Sequence, residues 1–264
     1  MKNFIIALQF LTILPIKKES SIKPIEYGRS LAYFPIVGGL IGGILALFLF
    51  IFNKFLTYQV SMALVLLLSV IITGGIHLDG FADTCDGFYA GKTKDRILQI
   101  MQDSCLGSIG VIGVVFVLFL KFILLLNIPI KEVYKALIIT CIFSRYTQVL
   151  ACYKSNYPKD TGKAKYFVEY KSKKEMLFGI FFTLIMFLCL MKVIKGILLF
   201  ILSLIPTLFF ITYVNKKIGG MTGDTIGATN ELAEIVILFL IVSLKKFYGL
   251  LSLVLCGGFN ICRP

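Results

Sequence analysis

Residues 74–110 read GGIHLDGFADTCDGFYAGKTKDRILQIMQDSCLGSIG, and a long apolar run lies on either side of them. The stretch holds five of the chain's 14 carboxylates, its only histidine and a dense set of glycines. Asp79, Asp83 and Asp86 stand at i, i+4 and i+7, so on a helix all three project from one face. Three like charges on one face repel one another, an arrangement that a merely solvated surface rarely needs. A divalent cation bridging the oxygens of a phosphorylated substrate would remove the repulsion and use it. A wet polar cap on a helix end is the plainer alternative, and the far end of the chain argues against it.

The flanking runs set the fold class. Of the 264 residues 58% are hydrophobic and the mean hydropathy is +0.91, against about 45–50% apolar residues in an ordinary soluble domain. The expectation is an all-α, polytopic membrane helix bundle, a single domain over residues 1–264. Seven crossings are expected, within a range of six to eight, at residues 31–52, 60–76, 106–126, 133–151, 176–194, 196–214 and 235–244. Gly38-Gly39 and Gly42-Gly43 suit close helix packing in the first, and Pro206 predicts a kink in the sixth. The tail after Lys245-Lys246 reads equally as one tilted helix or as a hairpin. Residues 4–16 are apolar for only 13 positions, with Pro15 near their end. That is short for a span, so an interfacial or re-entrant helix is expected. No small-residue cleavage site follows, so this segment is expected to be retained.

The charge is +13, from 27 basic and 14 acidic side chains. The lysines fall in loops between apolar runs, which fits a membrane surface better than nucleic acid. Seventeen Lys and Arg lie in the N-terminal segment and the loops at 74–110, 152–175 and 215–234, against five in the alternate loops. Positive-inside then places both acid-rich segments on the cytoplasmic side of the cell (inner) membrane. Seven cysteines without a CxxC pair form no framework.

The second acid-rich segment is GGMTGDTIGATNELAEI, residues 219–235. Asp224, Glu231 and Glu234 again fall on one helical stripe. Glu234 borders an apolar run, where an uncompensated carboxylate is expensive and usually functional. A capped helix start with glutamates favoured by the N-terminal dipole would account for Glu231 alone. Together the two segments hold eight of the 14 carboxylates. Carboxylates at helix ends on one membrane face suit Mg²⁺, which binds through a few carboxylates, waters and substrate phosphates. With a single histidine and no Cys/His set at zinc spacing, zinc is excluded. The metal set is expected to be Asp79, Asp83, Asp86 and Asp224.

His77 precedes the aspartate face, and general base and phosphate contact are both open to it. Asp103-Ser104 resembles an N-cap of the third crossing, and Gly107, Ser108 and Gly110 would leave that helix N-terminus open to a phosphate. Asp103 joins His77 and Asp83 as a catalytic candidate, and Ser104 is a candidate substrate contact. Arg145 lies in the fourth crossing, about 9 Å from its cytoplasmic end at 1.5 Å per residue. It either snorkels to the surface or points at a phosphate. Lys92, Lys94 and Arg96 read as a solvated loop. Gly91-Lys92-Thr93 imitates the end of a phosphate-binding loop, but the first glycine that motif needs is Asp86, which rules it out.

HLDGFADTCDGFYAG, then MQDSCLGSIG, and then GGMTGDTIGATNELAE closely resemble the adenosylcobinamide-GDP ribazoletransferase (cobalamin synthase) family. LQFLTILPI and YFPIVGGLIGG resemble that family's opening, and the likeness runs from about Phe4 to Leu244. The resemblance implies an integral membrane, Mg²⁺-dependent transferase catalysing the last step of nucleotide-loop assembly. α-Ribazole or its 5′-phosphate would react with adenosylcobinamide-GDP to give adenosylcobalamin or its 5′-phosphate, and GMP. The ribose 3′-hydroxyl would attack the phosphorus next to the aminopropanol linker, with Mg²⁺ on the pyrophosphate and His77 or a non-ligating carboxylate taking the proton. Glu231, Glu234 and Arg145 are the further candidate substrate contacts. After Ser144-Arg145 the family carries a Pro-Tyr-Ala-Arg-like segment where this chain reads NYPKDTGKAKYF. The work of that arginine falls to Lys163 or Lys165. A lipid bilayer and the two substrates are the expected partners, with a homo-oligomer or association with other cobamide-synthesis enzymes also compatible.

Two other classes compete. A CDP-alcohol phosphotransferase would carry an alanine-arginine pair after its second Asp-Gly, whereas Asp86-Gly87 is followed by Phe88-Tyr89-Ala90-Gly91. An ion-coupled transporter would place its acids at the bilayer midplane and show repeated halves. Here the acids sit at helix ends, and no internal repeat is visible.

Overall fold

The computed structural model describes residues 2–14, 22–103, 105–162 and 164–257, with backbone alone for 245–257. Ser104 and Lys163 therefore lie outside the described residues. Runs this apolar can satisfy their backbone groups in lipid only within helices or closed barrels. Among the described residues every regular element is a helix. In order they are α1 (Lys2–Leu11), α2 (Pro24–Ser30), a 3₁₀ turn at Leu31–Tyr33, α3 (Phe34–Phe52), α4 (Tyr58–Thr73), α5 (Ile76–Ala90) and α6 (Lys94–Ile100). There follow α7 (Ser108–Leu126), α8 (Ile130–Lys154), α9 (Lys165–Glu169), α10 (Lys173–Leu190), α11 (Val193–Ile218) and α12 (Gly223–Gly257).

Five of the described helical stretches are long and apolar enough to cross a bilayer: Pro24–Phe52, α7, α8, α11 and α12 as far as Leu244. The pair α4–α5 makes a sixth if counted as one broken span. The chain is a multi-pass membrane protein. About seven crossings were expected, within six to eight, and six with the broken pair lies in that range. Two segments depart from a plain span. The run at 60–76 forms the 16-residue α4, which stops at Gly74 and Gly75, and α5 leaves it at an angle of 88°. Both glycines have positive φ (64° and 68°), a conformation that side chains with a Cβ rarely adopt. The run at 176–194 forms α10, whose first turn holds Lys173, Lys174 and Glu175. The tail, ambiguous in sequence, continues α12 without a break as far as Gly257; residues 258–264 lie outside the described residues.

α8 is the central column. Every residue from Ile139 to Cys152 is buried, including Ser144, Arg145, Thr147 and Gln148. A helix covered on all sides has no need of an amphipathic pattern. α3 lies along it at short range. A Cβ on Gly38 would fall 2.3 Å from the Cys141 carbonyl oxygen, and one on Gly42 would fall 2.6 Å from the Ile138 Cα. Between helices in lipid such close backbone packing replaces the hydrophobic effect as the source of association. α1, at about 15 Å for ten residues, cannot cross. It tucks against the bundle, with Ala7 and Leu11 fully buried and the Ile13 N–H donating to the Ile72 carbonyl at 2.9 Å.

Candidate active site

The site forms where α5 crosses the start of α12. The helices meet through glycine: a Cβ on Gly80 would lie 2.7 Å from the Asp224 Cα, and one on Gly227 would lie 3.2 Å from the His77 Cα. This approach brings the two acid-rich segments, 145 positions apart at Asp79 and Asp224, to one end of the bundle. Asp79, Asp224 and His77 share the wall of a cavity of about 440 Å³. Three packed rings, Phe10, Phe34 and Phe167, close its apolar side, with centroids 4.4–5.9 Å apart. Gln148, Tyr157 and Lys159 add polar groups. Lys159 Nζ stands 3.8 Å from Asp224 Oδ2, which also accepts from the Thr222 hydroxyl at 3.2 Å. Burial raises the pKa of the Tyr157 phenol, and the Asp224 charge pushes it the same way.

The other candidates distribute unevenly. Asp83 lies one helical turn from Asp79 in the field of Asp224, Asp79, Asp86 and Lys159. Asp86 turns to α7 instead: its Oδ2 accepts the Gly107 N–H and its Oδ1 the Gly110 N–H, both at 2.8 Å. The α7 N-terminus, expected to stand open for a phosphate, is thus occupied by this carboxylate. The residue at the N-cap is Gly107, not Asp103. Asp103 accepts the Cys105 N–H at 3.0 Å and shares a separate cleft with Asp86, Arg96 and Gln99. Lys165 bonds the Asp160 carbonyl at 2.7 Å and lies 3.7 Å from Glu169, turned into its own loop.

Arg145, Glu231 and Glu234 are drawn into one buried cluster. Lys121 Nζ lies 2.5 Å from Glu231 Oε2 and 2.6 Å from Glu234 Oε2, and Arg145 Nη1 lies 2.6 Å from Glu234 Oε1. Two cations and two anions balance, as burial in a low dielectric requires. Arg145 neither snorkels nor borders the large cavity; it closes this ion cluster. Asn230 extends the cluster toward Gln148, and Gln148 reaches His77. Lys121, Gln148, Tyr157 and Lys159 escaped the sequence reading. Lys121 carried a legible signal: a lysine midway along an apolar helix needs a carboxylate partner. Gln148 and Tyr157 carried none.

From residue 3 to residue 242 the chain matches the family described as cobalamin-5-phosphate synthase. The chain belongs to the cobalamin-5-phosphate synthase family. Proteins named adenosylcobinamide-GDP ribazoletransferase are among its relatives. That of Clostridium acetobutylicum is 35% identical over 249 residues, covering 94% of this chain and 98% of the relative. That of Clostridium novyi is 36% identical, covering 93% and 98%, and that of Thermoanaerobacter sp. is 35% identical, covering 93% and 98%. No solved structure matches the chain.

The matched range of this cobalamin-5-phosphate synthase family member takes in α5 and the described start of α12, hence the whole cavity wall. No group of three or more His, Cys, Asp or Glu side chains among the described residues is closed around a point that could hold a metal. The donor set still suits a magnesium ion, which needs only one or two carboxylates when waters and substrate phosphates complete its shell. Asp79 and Asp224 are hard oxygen donors in the cavity wall and Asp83 stands one helical turn from Asp79; among the described residues the ion pair at these carboxylates is Lys159 with Asp224, at 3.8 Å.

Proposed function

We propose that this chain is an adenosylcobinamide-GDP ribazoletransferase, completing the nucleotide loop of cobalamin. The observation that carries the reading is the α5–α12 crossing, which sets Asp79 and Asp224 in the wall of a cavity with aromatic and cationic sides. The family match and the relatives' names support it.

The acceptor is α-ribazole or its 5′-phosphate. Phe10, Phe34 and Phe167 give the cavity an apolar, aromatic side suited to its aromatic base, and Lys159 offers a cation to a phosphate. The ribose hydroxyl oxygen bonds to the phosphorus on the aminopropanol side of the pyrophosphate, and the bond from that phosphorus to the bridging oxygen breaks. GMP leaves with the remaining phosphate. The hydroxyl proton passes to a base in the cavity wall, for which His77 and the aspartates are the candidates. Asp79, Asp83 and Asp224 would hold Mg²⁺, which when bound supplies positive charge against the pyrophosphate oxygens. The protein's own share is chiefly orientation and the exclusion of water. The distribution of lysines and arginines supports a cell-membrane location with the cavity facing the cytoplasm.

The deciding experiment supplies purified protein in lipid nanodiscs with adenosylcobinamide-GDP, α-ribazole and Mg²⁺, and reads product mass. Cobalamin and GMP from the wild type, with none from Asp83→Asn, are expected. No product from the wild type, with turnover of CDP-diacylglycerol and an alcohol instead, would replace this reading with the phospholipid one.

A further inference from the structure

Gln148 is fully buried in the wall of the large cavity, and it links His77 to the ion cluster. Its Nε2 lies 2.9 Å from Asn230 Oδ1 and 3.2 Å from His77 Nε2, while its Oε1 has no partner among the described residues. The orientation of each amide follows from charge, starting at the far end. Glu234, held by both Lys121 and Arg145 at 2.6 Å, is ionised, so its oxygens can only accept. Asn230 approaches Glu231 Oε1 at 3.1 Å and Glu234 Oε1 at 3.2 Å, and only its NH₂ can satisfy both. Its Oδ1 must then face Gln148, and only the Gln148 NH₂ can meet it. The second N–H of that NH₂ points at His77 Nε2, which must accept. A neutral imidazole accepting at Nε2 carries its proton on Nδ1. Reversing any one amide would set oxygen against oxygen in a buried site, where an unpaired polar group is expensive.

We propose that Asn230 and Gln148 are positioning residues that hold His77 as the neutral Nδ1–H tautomer. His77 then meets a ligand in the cavity as a hydrogen-bond donor through its Nδ1–H. Its Nε2 is taken, so the proton released by the acceptor hydroxyl goes to a base other than His77. That last role rests on the transferase reading; the tautomer does not.

The chain has one histidine, so protein labelled with ¹⁵N in the imidazole gives one pair of ring signals. In nanodiscs without substrate, the expected spectrum has Nε2 unprotonated and Nδ1 protonated. Gln148→Glu, which sets a carboxylate oxygen against Nε2, should move the proton to Nε2. Gln148→Met should release the constraint and shift the Nε2 signal. A protonated Nε2 in the wild type overturns the proposal, as does an Nε2 signal unchanged in Gln148→Met. If neither variant folds, the wild-type spectrum alone decides the tautomer. The donor role is read separately, by kcat. His77→Asn keeps an N–H near the Nδ1 position and should stay within about 10-fold of wild type, whereas His77→Ala should lose about 100-fold. Equal losses of about 100-fold or more in both would mean that His77 is the base after all. No turnover in the wild type would remove the transferase reading and leave the tautomer standing on its spectrum.

Discussion

Gly80 sits so close to Asp224 that a methyl group in place of its hydrogen would lie 2.7 Å from the Asp224 Cα and 2.8 Å from its carbonyl oxygen. The neighbour is backbone at the first turn of α12, which cannot rotate aside as a side chain can. The distance between the two helices is therefore set at Gly80, and with it the distance from Asp79 and Asp83 to Asp224. A site assembled from two segments far apart in sequence takes its spacing from this contact and from the approach of Gly227 to His77.

Gly80→Ala should push α5 away from α12 and lower turnover at least 10-fold, with a stability loss of about 1–3 kcal/mol from overpacking. Gly43→Ala is the control, since a Cβ there meets nothing within 4 Å, and it should leave both activity and melting midpoint unchanged. Product formation and thermal unfolding in one detergent measure the pair. Full activity in Gly80→Ala would show that the crossing does not set the site.

The three aspartates of α5 should separate by role. Asp79→Asn and Asp83→Asn are expected to lose about 100-fold or more in kcat, equivalent to about 3 kcal/mol of transition-state stabilisation, with little change in melting midpoint. Asp86→Ala removes the acceptor for Gly107 and Gly110, and should cost about 0.5–2 kcal/mol of stability as a lost cap does. Turnover per folded molecule should survive. A kcat loss in Asp86→Ala as large as in Asp83→Asn would return Asp86 to the catalytic set.

Lys121→Met leaves Glu231 and Glu234 buried with Arg145 as their one remaining cation. Breaking a buried pair from one side costs about 3–5 kcal/mol, so the single variant should melt far below wild type or fail to accumulate. Lys121→Met with Glu231→Gln restores charge balance and should recover a large part of the loss, as groups in direct contact do not behave additively. Equal melting midpoints for the single and double variants would mean that the cluster is not a balanced unit.

The fold class was legible because lipid leaves an apolar run few structural options. The spacing of Asp79, Asp83 and Asp86 correctly announced a helix. It could not show that the 88° break at Gly74-Gly75 sends that helix across α12, nor that Asp86 turns toward α7. One-dimensional spacing fixes a helical face but not the neighbour it meets. Arg145, Glu231 and Glu234 stood out as costly charges in apolar surroundings, and they are costly; Lys121, which pairs with both glutamates, was as costly in the apolar run that became α7, but its spacing could not show that it meets α12. The loop at 155–164 contributes Tyr157 and Lys159 to the cavity, and nothing in its composition separates Lys159 from the lysines around it.

Metal removal tests the remaining expectation most directly. Asp79 and Asp224 in the cavity wall, with Asp83 a turn away, gather carboxylates that among the described residues have one paired cation, Lys159, so a chelated preparation should lose turnover and regain it on addition of Mg²⁺. Because these carboxylates repel one another when no cation lies among them, Mg²⁺ should also raise the melting midpoint, by linkage between binding and folding. Asp224→Asn removes one of the donors and should raise the Mg²⁺ concentration for half-maximal activity about 10–100-fold, the range seen when a metal site loses a supporting group. Asp86→Asn, with its side chain at the α7 N-terminus, should leave that concentration where it was. If chelation changes neither turnover nor melting midpoint, the aspartates act without a metal, and repulsion among them must be relieved by protonation instead.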